Sequence, residues 1–204
     1  TLFTFNFDIF ISTLFLTFSF LLVTYLGSKL GEDYLAVNTI LMQFIILAAF
    51  FLDAYAFSTE GIVGFTIGRK IKNSFLSVVK NSIQISFITA LIVSFVYLIF
   101  FKQIINIITD IELLRFISYK HFLWVIVIPP IASFCYQLDG IFIGASQTKE
   151  MRNAMIISVT SFIVISIYLT KYFGNHGLWF SLMCFMVLRS LTLKFYFNKI
   201  LRKF

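Results

Sequence analysis

The sequence predicts an all-α polytopic membrane protein with six transmembrane helices. Three observations lead there. The 204 residues are 60% hydrophobic and 12% charged, whereas soluble domains run about 45–50% apolar and about 25% charged. Mean hydropathy is +0.97. The apolar residues also fall into six charge-free runs of 17–21 residues. A chain with so little charge cannot cover itself for water. Soluble enzymes, nucleic-acid binders and disordered chains are therefore excluded. The net charge of +7 taken alone suggests nucleic acid, but most of it sits at the ends of the apolar runs, where it sets membrane orientation.

The runs are 9–28, 34–52, 81–101, 121–138, 153–170 and 172–188. About 20 helical residues cross about 30 Å of hydrocarbon. Lipid offers no partner to backbone polar groups, so helices are the expected spanning form, and the ten-residue alternation of a barrel is missing. The whole of 1–204 is expected to form one unit with helices at about 9–30, 34–68, 81–101, 120–147, 153–172 and 176–197. The second must tilt, break or begin in its loop. Its 35 residues from Tyr34 to Gly68 would reach about 52 Å.

Between the third and fourth helices, residues 103–118 place Ile104, Ile107, Ile108, Ile111, Leu114 and Ile117 among Asp110, Glu112 and Arg115. That amphipathic pattern predicts a separate helix in the outer interface, a plain surface link. Pro129 and Pro130 are expected to kink or break the fourth helix. Gly61, Gly64, Gly68, Gly140 and Gly144 predict close helix packing. Trp124, Trp179 and Tyr172 fall near span ends and suit interface anchors. The 28 Phe residues are read as lipid-facing bulk more than as a drug pocket. Cys135 and Cys184 lie in apolar runs and read as small core hydrophobes.

Orientation follows from the short loops. Ten Lys and Arg fall on one side (Arg69, Lys70, Lys72, Lys80, Lys149, Arg152, Lys194, Lys199, Arg202, Lys203) and five on the other (Lys29, Lys102, Arg115, Lys120, Lys171). Both ends are therefore expected in the cytoplasm, with the chain in the cell's inner (plasma) membrane. The chain opens on Thr1 without a basic leader, which suggests a piece of a longer polypeptide.

Three acids fall inside the expected spans: Asp53, Glu60 and Asp139. A charge at the helix centre costs at least about 2.5–3.5 kcal/mol on insertion scales, so these acids should face a bundle interior or a wet cavity. Asp53 and Glu60 are seven apart and share a helix face with Phe57 and Gly64. Asp139 shares a stripe with Cys135, Tyr136, Ile143 and Ser146. Glu60 precedes Arg69 by nine residues and Asp139 precedes Lys149 by ten, which predicts similar depth for both. Carboxyls held out of water can exchange protons near neutral pH. The structural alternative is a buried pair, for which Arg189 in the last span is available. His121 and His176 lie near span ends with no nucleophile at fixed spacing, and no P-loop occurs, so neither an enzyme nor an ATP-driven motor is indicated.

Three strings carry a family resemblance. FFLDAYAFSTEGIVGFTIGRK, Phe50 to Lys70, resembles the eighth-helix signature of the MATE (multidrug and toxic compound extrusion) family, in its DinF-like branch. LDGIFIGASQTKEMRNAMIIS, Leu138 to Ser158, resembles that branch's tenth helix and following loop, and LWFSLMCFMVLRSLTL, Leu178 to Leu193, resembles its last helix. The resemblance implies one six-helix lobe of a twelve-helix transporter, with the N-terminal lobe as missing partner. It implies export of small cationic amphipathic compounds in exchange for protons, or alternatively sodium, with no cofactor. Asp139 sits in the Asp-Gly pair where several members carry a cation-site acid. Many of those members add a glutamate on the seventh helix, and here no acid lies between Asp8 and Glu32. The DinF-like branch is associated with a protonatable aspartate in the other lobe.

These expectations assign cation or proton binding to Asp139, Glu60 and Asp53, and cargo contacts to Tyr136 and Phe57 by stacking or cation–π attraction. Two rivals stand beside them. A lipid-linked oligosaccharide flippase of the same wider fold predicts a cationic cavity for pyrophosphate. A non-transporting scaffold or half-protein predicts acids that are paired and shut off from water.

Overall fold

The computed structural model describes residues 2–204 and consists of five long helices. They are α1 (Leu2–Lys29), α2 (Glu32–Gly68), α3 (Lys72–Ile108), α4 (Glu112–Gly144) and α5 (Thr148–Leu201). Each is long and apolar enough to cross a membrane. Six helices are expected and five are found among the described residues. The reason is α5, which holds 54 residues and would reach about 81 Å if straight. It is not straight. Gly174 has φ 57° and ψ −138°, outside the helical region. Lys199 Nζ lies 2.9 Å from Glu150 Oε1, a pair that a straight helix would hold about 74 Å apart. The chain therefore folds back at Gly174, and the arms 148–173 and 175–201 lie side by side. The fifth and sixth expected spans occupy these two arms.

The turn needs glycine. Only glycine adopts φ 57° with an extended ψ at little steric cost. Three residues on, a Cβ at Gly177 would collide with the Leu169 carbonyl of the opposite arm. Asn38 on α2 staples the turn: its Nδ2 donates to Asn175 Oδ1 at 2.7 Å, and its Oδ1 accepts from Trp179 Nε1 at 2.9 Å. Trp179 is therefore buried, 1% exposed, and is not the interface anchor expected of it. Its indole N–H has a protein partner and needs no water. Tyr172 is exposed and Trp124 half-buried.

The separate interfacial helix over 103–118 does not form. Residues 103–108 complete α3, and α4 begins at Glu112. The break is at Thr109, which is extended with φ −142° and ψ 141°. Arg115 ties the corner: Nε donates to Thr109 O at 2.7 Å, and Nη2 to Asn106 O at 3.0 Å and Asp110 Oδ1 at 3.1 Å. The expected stripe is not one buried face either: Leu114 and Ile117 are buried, with Ile105 from outside the stripe, while Ile107, Ile108 and Ile111 are exposed. It belongs to the ends of two long helices rather than to a third.

The α4 helix runs unbroken through Pro129 and Pro130. Pro130 has no N–H to give the Ile126 carbonyl one turn earlier. Ser94 Oγ on α3 donates to that carbonyl instead, at 2.8 Å. The α2 helix neither breaks nor begins late: it runs unbroken from Glu32 for 37 residues, so a length of about 55 Å must tilt or project beyond the hydrocarbon.

The α2 and α4 helices pack in parallel. A Cβ at Gly140 would collide with the Ala56 carbonyl, and one at Gly144 with the Glu60 carbonyl. Gly64 faces Gly144, its Cβ position 3.4 Å from the Gly144 oxygen. Gly61 and Gly68 differ from the expected packing role: nothing lies within 4 Å of a Cβ at either. Thr59 and Gln137 add a buried hydrogen bond of 3.0 Å between the two helices.

The core has two apolar clusters. One surrounds Leu41, Phe44, Ile128, Phe162 and Phe185, and the other surrounds Val63, Phe75, Ile141, Phe142 and Leu193. Many Phe side chains point outward, among them Phe3, Phe10, Phe57, Phe95 and Phe195, as lipid-facing bulk would.

Candidate functional site

A cavity of about 300 Å³ lies among α1, α2, α4 and α5. The α1 helix supplies Ser12 and Thr13, and α5 supplies Met151, Met155 and Arg189. Asp53 comes from α2, and Tyr136 and Asp139 come from α4. The parallel packing of α2 and α4 explains why two acids distant in sequence meet here. Gly140 against Ala56 and Gly144 against Glu60 set a constant offset, which brings Asp139 level with Tyr55. By helical rise Asp139 is then about 3 Å below Asp53 and about 7 Å above Glu60. The expected equal depth of Glu60 and Asp139 is therefore corrected. Counting from loop charges misplaced it, because α2 and α4 end at different heights.

The acids differ in their surroundings. Asp139 Oδ2 receives Arg189 Nη2 at 2.7 Å. Arg189 is 6% exposed, so this is an ion pair largely removed from water, tying α4 to the second arm of α5. Asp139 Oδ1 and Arg189 Nε are buried and make no hydrogen bond among the described residues. The Cys135 thiol lies 4.0 Å from Asp139 Oδ2. Asp53 lines the same cavity, half-buried, and within electrostatic reach of Arg189. Glu60 and Phe57 do not line the cavity. Glu60 is half-buried below it, and Phe57 is 71% exposed. The structure thus brings Asp53, Asp139 and Tyr136 together and leaves Glu60 and Phe57 apart.

Arg189 is the site residue missing from the expected binding set. Its signal was present, as a lone arginine in an apolar run. Ser12 and Thr13 had no signal, because single hydroxyls in a membrane helix often bond their own backbone, as Thr13 does to Ile9 O at 3.1 Å. Below the cavity, Arg152 Nη1 donates to Asp8 Oδ1 and Thr148 Oγ1 donates to Asp8 Oδ2 at 3.3 Å. Ile9 and Met151, neighbours of that cluster in the chain, both line the cavity.

Comparison with known proteins places this architecture. The MatE family profile matches residues 9–170. DNA damage-inducible protein F of Escherichia coli K12 is 35% identical over 188 residues, covering 92% of this chain and 41% of that protein. Protein DETOXIFICATION 43 of Arabidopsis thaliana is 25% identical over 180 residues, covering 88% and 34%. The chain therefore spans less than half the length of these relatives. Among solved structures, a MOP superfamily transporter from Pyrococcus furiosus superposes with a TM-score of 0.84 at 17% identity, over 93% of this chain and 42% of that one. The Vibrio cholerae MATE transporter VcmN, in its bent form, gives 0.81 at 15% identity, over 94% and 44%. These two share the fold. With five membrane-length helices and the MatE match over most of its length, this multi-pass membrane chain belongs to the MatE family.

Proposed function

We propose that the chain is the C-terminal lobe of a secondary transporter that exports small cationic amphipathic compounds in exchange for protons. The observation that carries this reading is a cavity among four helices lined by two carboxylates, Asp53 and Asp139, and by the aromatic Tyr136. Acids at membrane depth are costly, and their usual use is to carry ions, protons or cationic groups. Asp53 and Asp139 take up and release the coupling cation or the cargo. Glu60, below the cavity, acts on the route between the cavity and the basic end. Tyr136 contacts the cargo ring. Phe57, on the bare face of α2, meets cargo only where the N-terminal lobe closes over it. Each arm of α5 crosses the bilayer once, giving six crossings with both ends in the cytoplasm of a cell with an inner (plasma) membrane. Rocking of the two lobes alternates access, and no cofactor or catalysis is involved.

The same cavity speaks against a pyrophosphate-bearing cargo. Its only cation among the described residues, Arg189, is already paired with Asp139. The test is export of a cationic dye by the full-length transporter. Replacing Asp139 by Asn and Glu60 by Gln together is expected to abolish export, and Asp53→Asn to reduce it at least severalfold. Unchanged export in the Asp139→Asn, Glu60→Gln double variant would overturn the proposal.

A further inference from the structure

The ionisable side chains lining the cavity are Asp53, Asp139 and Arg189, with the phenol of Tyr136 beside them. One arginine neutralises one of the two acids through the 2.7 Å pair. That leaves a single negative charge on this wall. The pair is not a sealed strut. Both partners line the cavity, and the Asp139 side chain keeps 16% of its surface exposed. A guest cation thus meets Asp139 with a cation already tethered beside it.

We propose that Arg189 sets the charge class of the cargo. By holding one of the two carboxylates it tunes the wall to organic monocations and against dications. The proposal rests on the cationic-cargo reading above and adds to it the residue that determines charge selectivity. At close range in a weakly screened site, each added charge contact shifts binding by about tenfold or more. Removing Arg189 therefore favours a guest with two charges over one with a single charge. Whatever charges the other lobe contributes, the change in the ratio belongs to this residue.

The test uses two dyes with the same ring system: ethidium, with one positive charge, and propidium, with two. Their binding to the full-length transporter is measured by equilibrium dialysis in detergent at alkaline pH, where the carboxyls are ionised. Arg189→Met is expected to raise propidium affinity relative to ethidium by about tenfold. Arg189→Lys keeps the original ratio. Asp139→Asn, which leaves no surplus charge, weakens both dyes. Adding Arg189→Met to Asp139→Asn restores one surplus charge, so ethidium affinity and the original ratio return. This double variant leaves no unpaired buried charge at the pair, so it answers the question even if Arg189→Met does not fold. An unchanged ratio in Arg189→Met overturns the inference, as does failure of the double variant to recover ethidium binding. If neither Asp53→Asn nor Asp139→Asn alters binding of either dye, the cationic-cargo reading falls and this inference with it.

Discussion

Ser94 shows how one hydroxyl can hold a membrane helix together. The Ile126 carbonyl loses its helical donor to Pro130, and no water reaches it in hydrocarbon. Ser94 Oγ donates to it at 2.8 Å. Ser94→Ala leaves that carbonyl unpaired at the α3–α4 contact, at a cost of about 1–3 kcal/mol. The midpoint of thermal unfolding in detergent should fall accordingly, and an unchanged midpoint would show that Pro130 needs no such partner. A proline in a span is visible in sequence, and a kink is the reasonable expectation. Its repair comes from another helix, 32 positions away, and no pattern within the span could reveal it. Arg189 is the opposite case. A lone arginine in an apolar run must find an acid; the spans offer three, and the structure pairs it with Asp139. Trp179 misleads because a span-end tryptophan reads the same whether its indole meets the interface or a buried asparagine.

Glycines show the same limit at the level of helix pairs. Five glycines on α2 and α4 are equally small, and their sequence context marks all five as packing positions. The structure separates them. Gly140 and Gly144 receive α2 backbone carbonyls where a Cβ would stand, while Gly61 and Gly68 face open space. Backbone cannot swing aside as a side-chain tip can. Gly140→Ala or Gly144→Ala must therefore push α2 and α4 apart, at about 1–3 kcal/mol each, and tilt Asp53 away from Asp139. Gly61→Ala should instead be within about 0.5 kcal/mol of neutral. Unfolding midpoints of the three variants, compared side by side, decide it. Equal losses at Gly61 and Gly140 would mean that the α2–α4 contact is not as close as the structure has it. Helix identity and order are otherwise legible, because continuous apolar runs leave few alternatives in lipid. Helix ends are not. The α3 helix runs from Lys72 to Ile108 rather than over 81–101, since polar and charged residues extend a membrane helix into water without altering its apolar centre. The α5 turn, expected between separate spans, is made instead by one glycine.

Charge is distributed over the whole molecule in a way that fixes a testable orientation. The ring contacts of Phe75 with Phe197 and Phe204, at 6.0 and 5.1 Å, bring the start of α3 to the end of α5. The Lys199–Glu150 pair brings the two ends of α5 together there as well. Arg69, Lys70, Lys72, Lys149, Arg152, Arg202 and Lys203 therefore share one end of the bundle, and the Gly31 and Thr109 corners lie at the other. At that second end Lys29, Lys102, Arg115, Lys120 and Lys171 are fewer, and each stands beside a ring or a carboxylate: Lys29 over Tyr25, Lys102 over Tyr119, Lys120 over Phe116, Lys171 over Tyr172, and Arg115 on Asp110. Retention of Lys and Arg on the cytoplasmic side predicts that the crowded end faces the cytoplasm. Ser74→Cys and Ser28→Cys mark the two ends with little chemical change, since both serines are exposed. With Cys135 and Cys184 replaced by Ser, a membrane-impermeant maleimide added to intact cells should label the variant at position 28 and spare the one at position 74. Lysed cells should label both. Labelling at position 74 alone in intact cells would invert the molecule. An inverted chain would turn its crowded end outward and would overturn the direction of export proposed above.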